Sequence, residues 1–386
     1  MKRLLFLILI ISGCTVMAPL KRSKLISVFH LIETQKYNDA KDLVEEMVED
    51  EESSQWPRTW YARGLLSQTA YRDGMEKNDK KKYELYPDQL YVAIESYEKA
   101  LELDTRGKLV RQLAPNYILL ANDFQKMGEK HFQDKKFTDA LKAFEQALEI
   151  TRSSILSMHV DTSLVFNAAI SAFEAQKWKK AIKHLNRLHN YNYSPNTAHL
   201  LFQANLANGD TISAQDALAE GIEKYDDNEN LILLLSDLLF QLNEIDQAVD
   251  LLDSAMVQSP EKHIFPYTQG LIYQKAGQYS NAIEAYRKAN ELAPDDLMIN
   301  VNIATCYYNI GVEIEESART LTLNTLVQQE KARSAEAFEN AVLWLDKTYD
   351  QEPEDQVVIQ KLFQLYKDLR INDKMENIEE IDQVMP

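Results

Sequence analysis

The stretch GQYSNAIEAYRKANELAPDD, residues 277–296, decides the fold of this chain. Ala282, Tyr286 and Ala289 fall at steps of four and three, so they share one face of a helix. Pro294 then stops that helix, because its ring clashes with the preceding turn and it has no N–H to donate. One period earlier Ala248, Leu252, Ala255 and Pro260 repeat the pattern in full, and before them Ala214, Leu218 and Gly221 repeat its first three places. Ala214, Ala248 and Ala282 stand 34 residues apart. Recurrence at a fixed period of this size marks a stacked supersecondary unit, not a single globular core.

The ladder extends outward from there. Ala181 with Leu185, then Ala140, Phe144 and Ala147, then Ala93, Tyr97 and Ala100, and finally Ala40 with Val44 form the earlier rungs, and Ala341 with Pro353 forms a later one. A second mark precedes several rungs: a bulky residue followed four later by glycine, as in Trp60 and Gly64, or Phe124 and Gly128. At Gly270 the equivalent bulky position is Pro266, with Phe265 as the large neighbour. Two antiparallel helices approach closely only where small side chains face each other, and the large residues fill the space between layers.

These motifs resemble the tetratricopeptide repeat family over roughly residues 21–386, and more narrowly the exported multi-repeat members from Gram-negative bacteria. The resemblance implies an all-α, right-handed α-solenoid of about eight helical hairpins plus a C-terminal helical segment. Composition agrees: only 10 Gly and 10 Pro punctuate 386 residues, and helix formers dominate. The expected organisation is a leader at 1–13, a tether at 14–20, and irregular hairpins at 21–160. A regular array follows at 161–296, then a hairpin with elongated helices at 297–355 and a capping helical segment at 356–386.

Spacing departs from 34 in four places: 53 from Ala40 to Ala93, 47 from Ala93 to Ala140, 41 from Ala140 to Ala181, and 59 from Ala282 to Ala341. Extra residues in a solenoid go to loops or longer helices. The first insertion carries Lys77, Lys80, Lys81 and Lys82, which read as a solvated loop or as a contact for anionic lipid or an acidic partner. The last runs from Val312 to Glu352 with neither Gly nor Pro. It predicts two lengthened helices reversing near Thr320–Thr325, packed on the terminal segment or used as a docking arm.

The first residues, MKRLLFLILIISGCTVMAPL, place Lys2 and Arg3 before an apolar run too short to span a bilayer. The run ends in Ile11-Ser12-Gly13-Cys14, which resembles a bacterial lipobox. That resemblance implies cleavage before Cys14, lipid attachment at Cys14, and residence at the periplasmic face of the outer membrane. The competing cleavage after Ala18 would leave Pro19 beside the scissile bond, a poor fit to an extended protease substrate. The net charge of −18 lacks the basic stripe that phosphate binding needs, so nucleic acid is not expected as a partner.

No catalytic constellation emerges. Glycines are scattered singly, neither His-Glu-x-x-His nor Cys-x-x-Cys occurs, and the seven histidines are dispersed, so neither cofactor nor metal is expected. The expected chemistry is binding. In the resembled family the first helix of each hairpin lines a concave groove, which carried onto this chain nominates Phe166, Phe173, Phe240, Tyr267, Gln274, Asn302 and Tyr308. Such residues either pack between repeats or anchor a peptide or helix. The expected function is a non-catalytic scaffold for protein partners or a membrane-protein complex; the alternative is a lipid-anchored binder of a small ligand or glycan.

Overall fold

The computed structural model describes residues 14–156, 159, 161–226, 228–351, 360, 363, 364, 366 and 367, with side chains from residue 22 and, at 350 and 351, backbone alone. The leader at 1–13, Pro353 of the last rung, and most of the terminal segment 356–386 lie outside these residues, as does the side chain of Cys14. The described fold is all α-helical, built of tetratricopeptide-type hairpins, and forms two compact units, Met1–Asp210 and Thr211–Pro386.

In the first unit α1 (Cys14–Glu33) pairs with α2 (Tyr37–Glu49), and α3 (Pro57–Lys77) pairs with α5 (Gln89–Leu103) across the short α4 (Lys80–Tyr83). Next, α6 (Val110–Gln133) pairs with α7 (Phe137–Arg152) and α8 (Thr162–Glu174) with α9 (Trp178–Asn190), and α10 (Pro195–Ala207) closes the unit. The second unit opens with α11 (Thr211–Lys224). It continues with the pairs α12 (Glu229–Gln241) and α13 (Ile245–Gln258), α14 (Ile264–Lys275) and α15 (Tyr279–Leu292), and α16 (Leu297–Ala318) and α17 (Asn324–Gln351).

The ladder residues do what their spacing requires. Ala40, Ala93, Ala140, Ala181, Ala214, Ala248, Ala282 and Ala341 are all fully buried. Each glycine mark faces an aromatic of the partner helix. A Cβ on Gly64 would stand 2.6 Å from the Tyr97 ring, on Gly128 2.7 Å from Phe144, and on Gly270 2.5 Å from Tyr286. Real Cβ atoms do not approach that closely, so only glycine lets the helices cross there. Phe265 is 2% exposed and fills the layer beside Pro266.

Eight turns share one main-chain device. Gln35, Asn78, Lys135, Gln176, Asn192, Gly209, Asn243 and Gly277 all have positive φ, between 51° and 82°. In each case the next residue's N–H donates to the carbonyl five residues before it: Lys36 to Leu31, Asp79 to Gly74, Lys136 to His131, Lys177 to Ala172, Tyr193 to Leu188, Asp210 to Asn205, Glu244 to Leu239 and Gln278 to Tyr273, at 2.7–3.3 Å. This is the Schellman closure, which satisfies orphan carbonyls at a helix end. Only two of these eight left-handed positions are glycine.

The last hairpin is elongated as its spacing predicts, reversing at residues 319–323. At its root Val301, Ala304 and Leu345 form a core with Tyr366, whose hydroxyl donates to Asp346 at 2.7 Å. Beyond the root the two helices hold each other: Phe338 packs against Gly311, and Ser334 Oγ donates to the Gly311 carbonyl at 3.0 Å. The terminal segment therefore covers the root through Phe363 and Tyr366, while Leu323 and Leu326 near the reversal are exposed. Cys306 is fully buried in the adjoining core with Ile283, Tyr286 and Ile303, and burial pushes its thiol up to about 12.

Candidate functional site

The residues nominated for a groove are half-buried, Asn302 more deeply, and each meets a partner inside its own unit. In the first unit Phe166 stacks on Tyr193 at 5.4 Å and Phe173 meets Trp178 edge-on at 5.3 Å. In the second, Asn302 donates to the Tyr267 hydroxyl at 3.2 Å, Tyr267 leans on Tyr286 at 5.7 Å, and the Tyr286 hydroxyl donates to Gln274 at 2.6 Å. Tyr267, Gln274 and Asn302 thus form one patch braced through Tyr286. Phe240 lies under the Lys275 ammonium at 5.5 Å, and Tyr308 tilts against Phe338 at 5.7 Å. Their apolar edges line the first helices, while the polar ends of this patch are engaged in bracing.

A different surface emerges in the first unit, where the sequence spacing only announces extra residues. Helix α3 continues past its crossing with α5 as far as Lys77, and Asn78, at φ 52°, ends it. Gly74 permits the chain to fold back, since a Cβ there would stand 2.5 Å from the Tyr83 nitrogen. The returning segment is pinned throughout. Gln89 Nε2 donates to the Ser67 and Lys82 carbonyls at 2.8 and 3.0 Å, Ser67 Oγ donates to the Gln89 carbonyl at 2.6 Å, and Lys41 donates to that of Leu85 at 2.8 Å. Tyr86 donates to Glu45, which Arg63 also holds, both at 2.8 Å.

This makes the insertion a fixed wall and changes the account of its lysines. Lys77 and Lys82 both grip Asp73, and Lys80 reaches Glu84 at 3.6 Å. Burial would raise the Asp73 carboxyl, but its hydrogen bonds and charge contacts with the two lysines outweigh that and hold it below the ordinary range. Lys77 and Lys82 therefore form a structural clamp, while Lys80 and Lys81 are exposed on the same segment.

Opposite this wall stand the end of α6 and the outer face of α7. Helices α5 and α6 meet over only a short stretch, because the link 104–109, with Gly107 at φ 62°, carries the chain away before α6 begins. Tyr91 bridges the gap from α5, its ring edge-on to Phe124 at 4.9 Å. Between the walls lies an open cleft of about 1400 Å³. Tyr71, Met75, Tyr83, Tyr91 and Val92 supply its apolar surface, and seven carboxylates against three lysines border it. Burial, and behind it the charges of Glu149 and Glu95, push the Glu98 carboxyl up. Burial, then Asp88 and Asp139, push the Tyr91 phenol up to about 12. At Glu145 hydrogen bonding to His184, with Lys180 behind it, lowers the carboxyl despite burial. Local pattern does not reveal this cleft, since its walls lie on segments tens of residues apart; the 53- and 47-residue intervals are the sole feature of the sequence that marks the region.

Among the described residues no group of three or more His, Cys, Asp or Glu is placed to hold a metal ion, and no helix is long and apolar enough to cross a membrane.

Residues 205–263 and 267–296 each match the tetratricopeptide repeat. No curated protein matches the chain. Among solved structures the chain is similar to a TPR repeats protein from Bacteroides fragilis NCTC 9343, at 19% identity, covering 64% of this chain and 98% of that one with a TM-score of 0.37. It is also similar to MamA AMB-1, at 18% identity over 51% of this chain and 94% of that one, TM-score 0.33. MamA from Desulfovibrio magneticus RS-1 aligns at 16% identity over 52% and 99%, TM-score 0.34.

Proposed function

We propose that this chain is a non-catalytic scaffold, tethered by a lipid on Cys14 to the periplasmic face of the outer membrane, that holds protein partners within an envelope assembly. Tetratricopeptide hairpins supply the protein-binding framework. The observation that carries the choice of partner class is the size and openness of the cleft beside Tyr91. Its volume of about 1400 Å³ exceeds the ~300–1,000 Å³ of pockets that enclose small ligands. A polypeptide segment fits that space better than a metabolite or a short glycan. The lipid tether draws its support from the Ile11-Ser12-Gly13-Cys14 sequence.

Two measurements test this. Cys14→Ala should move the protein from the membrane fraction to the soluble periplasm, and retention in the membrane would remove the anchor. Photocrosslinkers placed at Tyr83, Glu95 and Tyr267 in intact cells should give discrete protein adducts at one or more positions. Adducts with glycan alone, or with nothing at any position, would overturn the scaffold.

A further inference from the structure

We infer that the cleft between α5 and α7 is a docking site for a cationic, apolar-studded segment of a partner protein. This rests on the scaffold proposed above and names the chemistry of what it holds. The cleft lies in the first unit, on the second helices of two hairpins and on the ends of their first helices.

Three features select the occupant. The first is sign: seven bordering carboxylates face three lysines, and although Asp139 has Lys142, Glu84 has Lys80 and Glu145 has Lys180 beside it, Asp88, Glu95, Asp134 and Glu149 are left to a partner. The second is crowding. Glu95 and Glu149 both border the cleft, and behind burial their charges act on the exposed Glu98 one turn along α5, so each gains from a cation delivered by a partner. The third is the apolar floor. Met75 is 40% exposed, and half-buried Tyr71, Tyr83 and Val92 flank it. A purely ionic ligand would leave that surface wet, and a purely apolar one would strand the carboxylates. A segment with lysine or arginine alternating with aliphatic or aromatic residues satisfies both. The wall is already pinned through Gln89 and the Asp73 clamp, so binding need not order it.

The test uses the full chain and two fluorescent probe peptides: one of alternating lysine and leucine, the other with glutamate replacing each lysine. Anisotropy titrations are run at low and raised salt. The lysine peptide should bind and weaken with salt, and the glutamate peptide should not bind. Glu95→Lys with Glu149→Lys should weaken the lysine peptide by at least about tenfold. Gln146→Trp, which fills the cleft without changing charge, should weaken it too. Glu174→Lys with Asp216→Lys, the same charge change elsewhere, should leave binding as it was, and circular dichroism checks that every variant is helical. Equal binding by the cleft and control variants, or equal binding of both peptides, overturns the inference. If the cleft variants also leave the cellular adducts at Tyr267 intact, the scaffold survives while the cleft assignment falls; loss of adducts everywhere in the unmodified chain sinks the scaffold itself.

Discussion

A Cβ placed on Gly311 would stand 2.5 Å from the Phe338 ring, the same approach that Gly270 makes to Tyr286. Gly311 and Phe338 each lie seven residues outward from Ala304 and Leu345, which meet in the core at the root of the hairpin. Seven residues are close to two helical turns, so the contact face recurs in register on both antiparallel helices. The elongated hairpin thus carries its own clasp and needs no neighbouring repeat to hold it closed there.

Gly270→Ala and Gly311→Ala should each cost about 1–3 kcal/mol, the usual penalty for forcing a methyl group into a packed contact. Because a repeat contacts chiefly its neighbours, the damage at Gly311 should stay local. Hydrogen exchange is expected to accelerate in α16 and α17 and to remain unchanged in α3 to α7. Uniform acceleration, or none, would contradict the clasp.

Lys135 adopts φ 58° at a turn where glycine meets no steric penalty. Lys135→Gly should therefore stabilise the α6–α7 hairpin by up to about 1 kcal/mol, the lower end of the cost of a left-handed side-chain residue. The greater freedom of glycine in the unfolded chain offsets part of this gain. A denaturant midpoint that falls would show that the lysine side chain contributes something the turn geometry does not reveal.

Burial foremost, and Asp123 behind it, push the Tyr71 phenol up to about 12; burial and Asp73 do the same to Tyr37. The unfolded phenol ionises near 10, so this contribution to stability is full below that pH and is lost as pH rises through 12. Stability measured across that window should fall, and Tyr71→Phe should make the fall shallower. An unchanged slope in the variant would remove Tyr71 from the account.

Asp123 is 7% exposed, and burial pushes its carboxyl up against the Gln68 hydrogen bond and the Arg72 charge. A raised folded-state value means its contribution is favourable in acid and lost as pH rises through that value. Asp123→Asn should accordingly improve stability more near neutral pH than in acid. Urea midpoints at both conditions decide it; a loss near neutral would mean that Arg72 and Gln68 outweigh burial.

The ladder was legible because its physics is local and periodic: Ala140, Phe144 and Ala147 announce a buried face, and Gly128 announces a close crossing. The arm was legible from an absence of helix breakers between Val312 and Glu352. The turns were half legible. Gly209 and Gly277 advertise left-handed backbone, whereas Gln35, Lys135 and Gln176 adopt it under tertiary constraint with no compositional cue. The cleft was not legible, since it depends on where Gly74 lets the insertion fold back and on how briefly α5 and α6 meet. Asn302 and Tyr267 were each nominated, but their mutual hydrogen bond joins positions 35 apart and leaves no trace in local pattern.

The recurrent turn has a consequence for how such a protein can change over time. Its seal is made by amide and carbonyl, from Lys36 to Leu31 through Gln278 to Tyr273, so no particular side chain at the left-handed position is needed to close the turn. The exposed turn positions are consequently open to drift. Charge, polarity or a new recognition feature can be written along that edge one residue at a time, while the crossings at Gly64, Gly128 and Gly270 stay as they are.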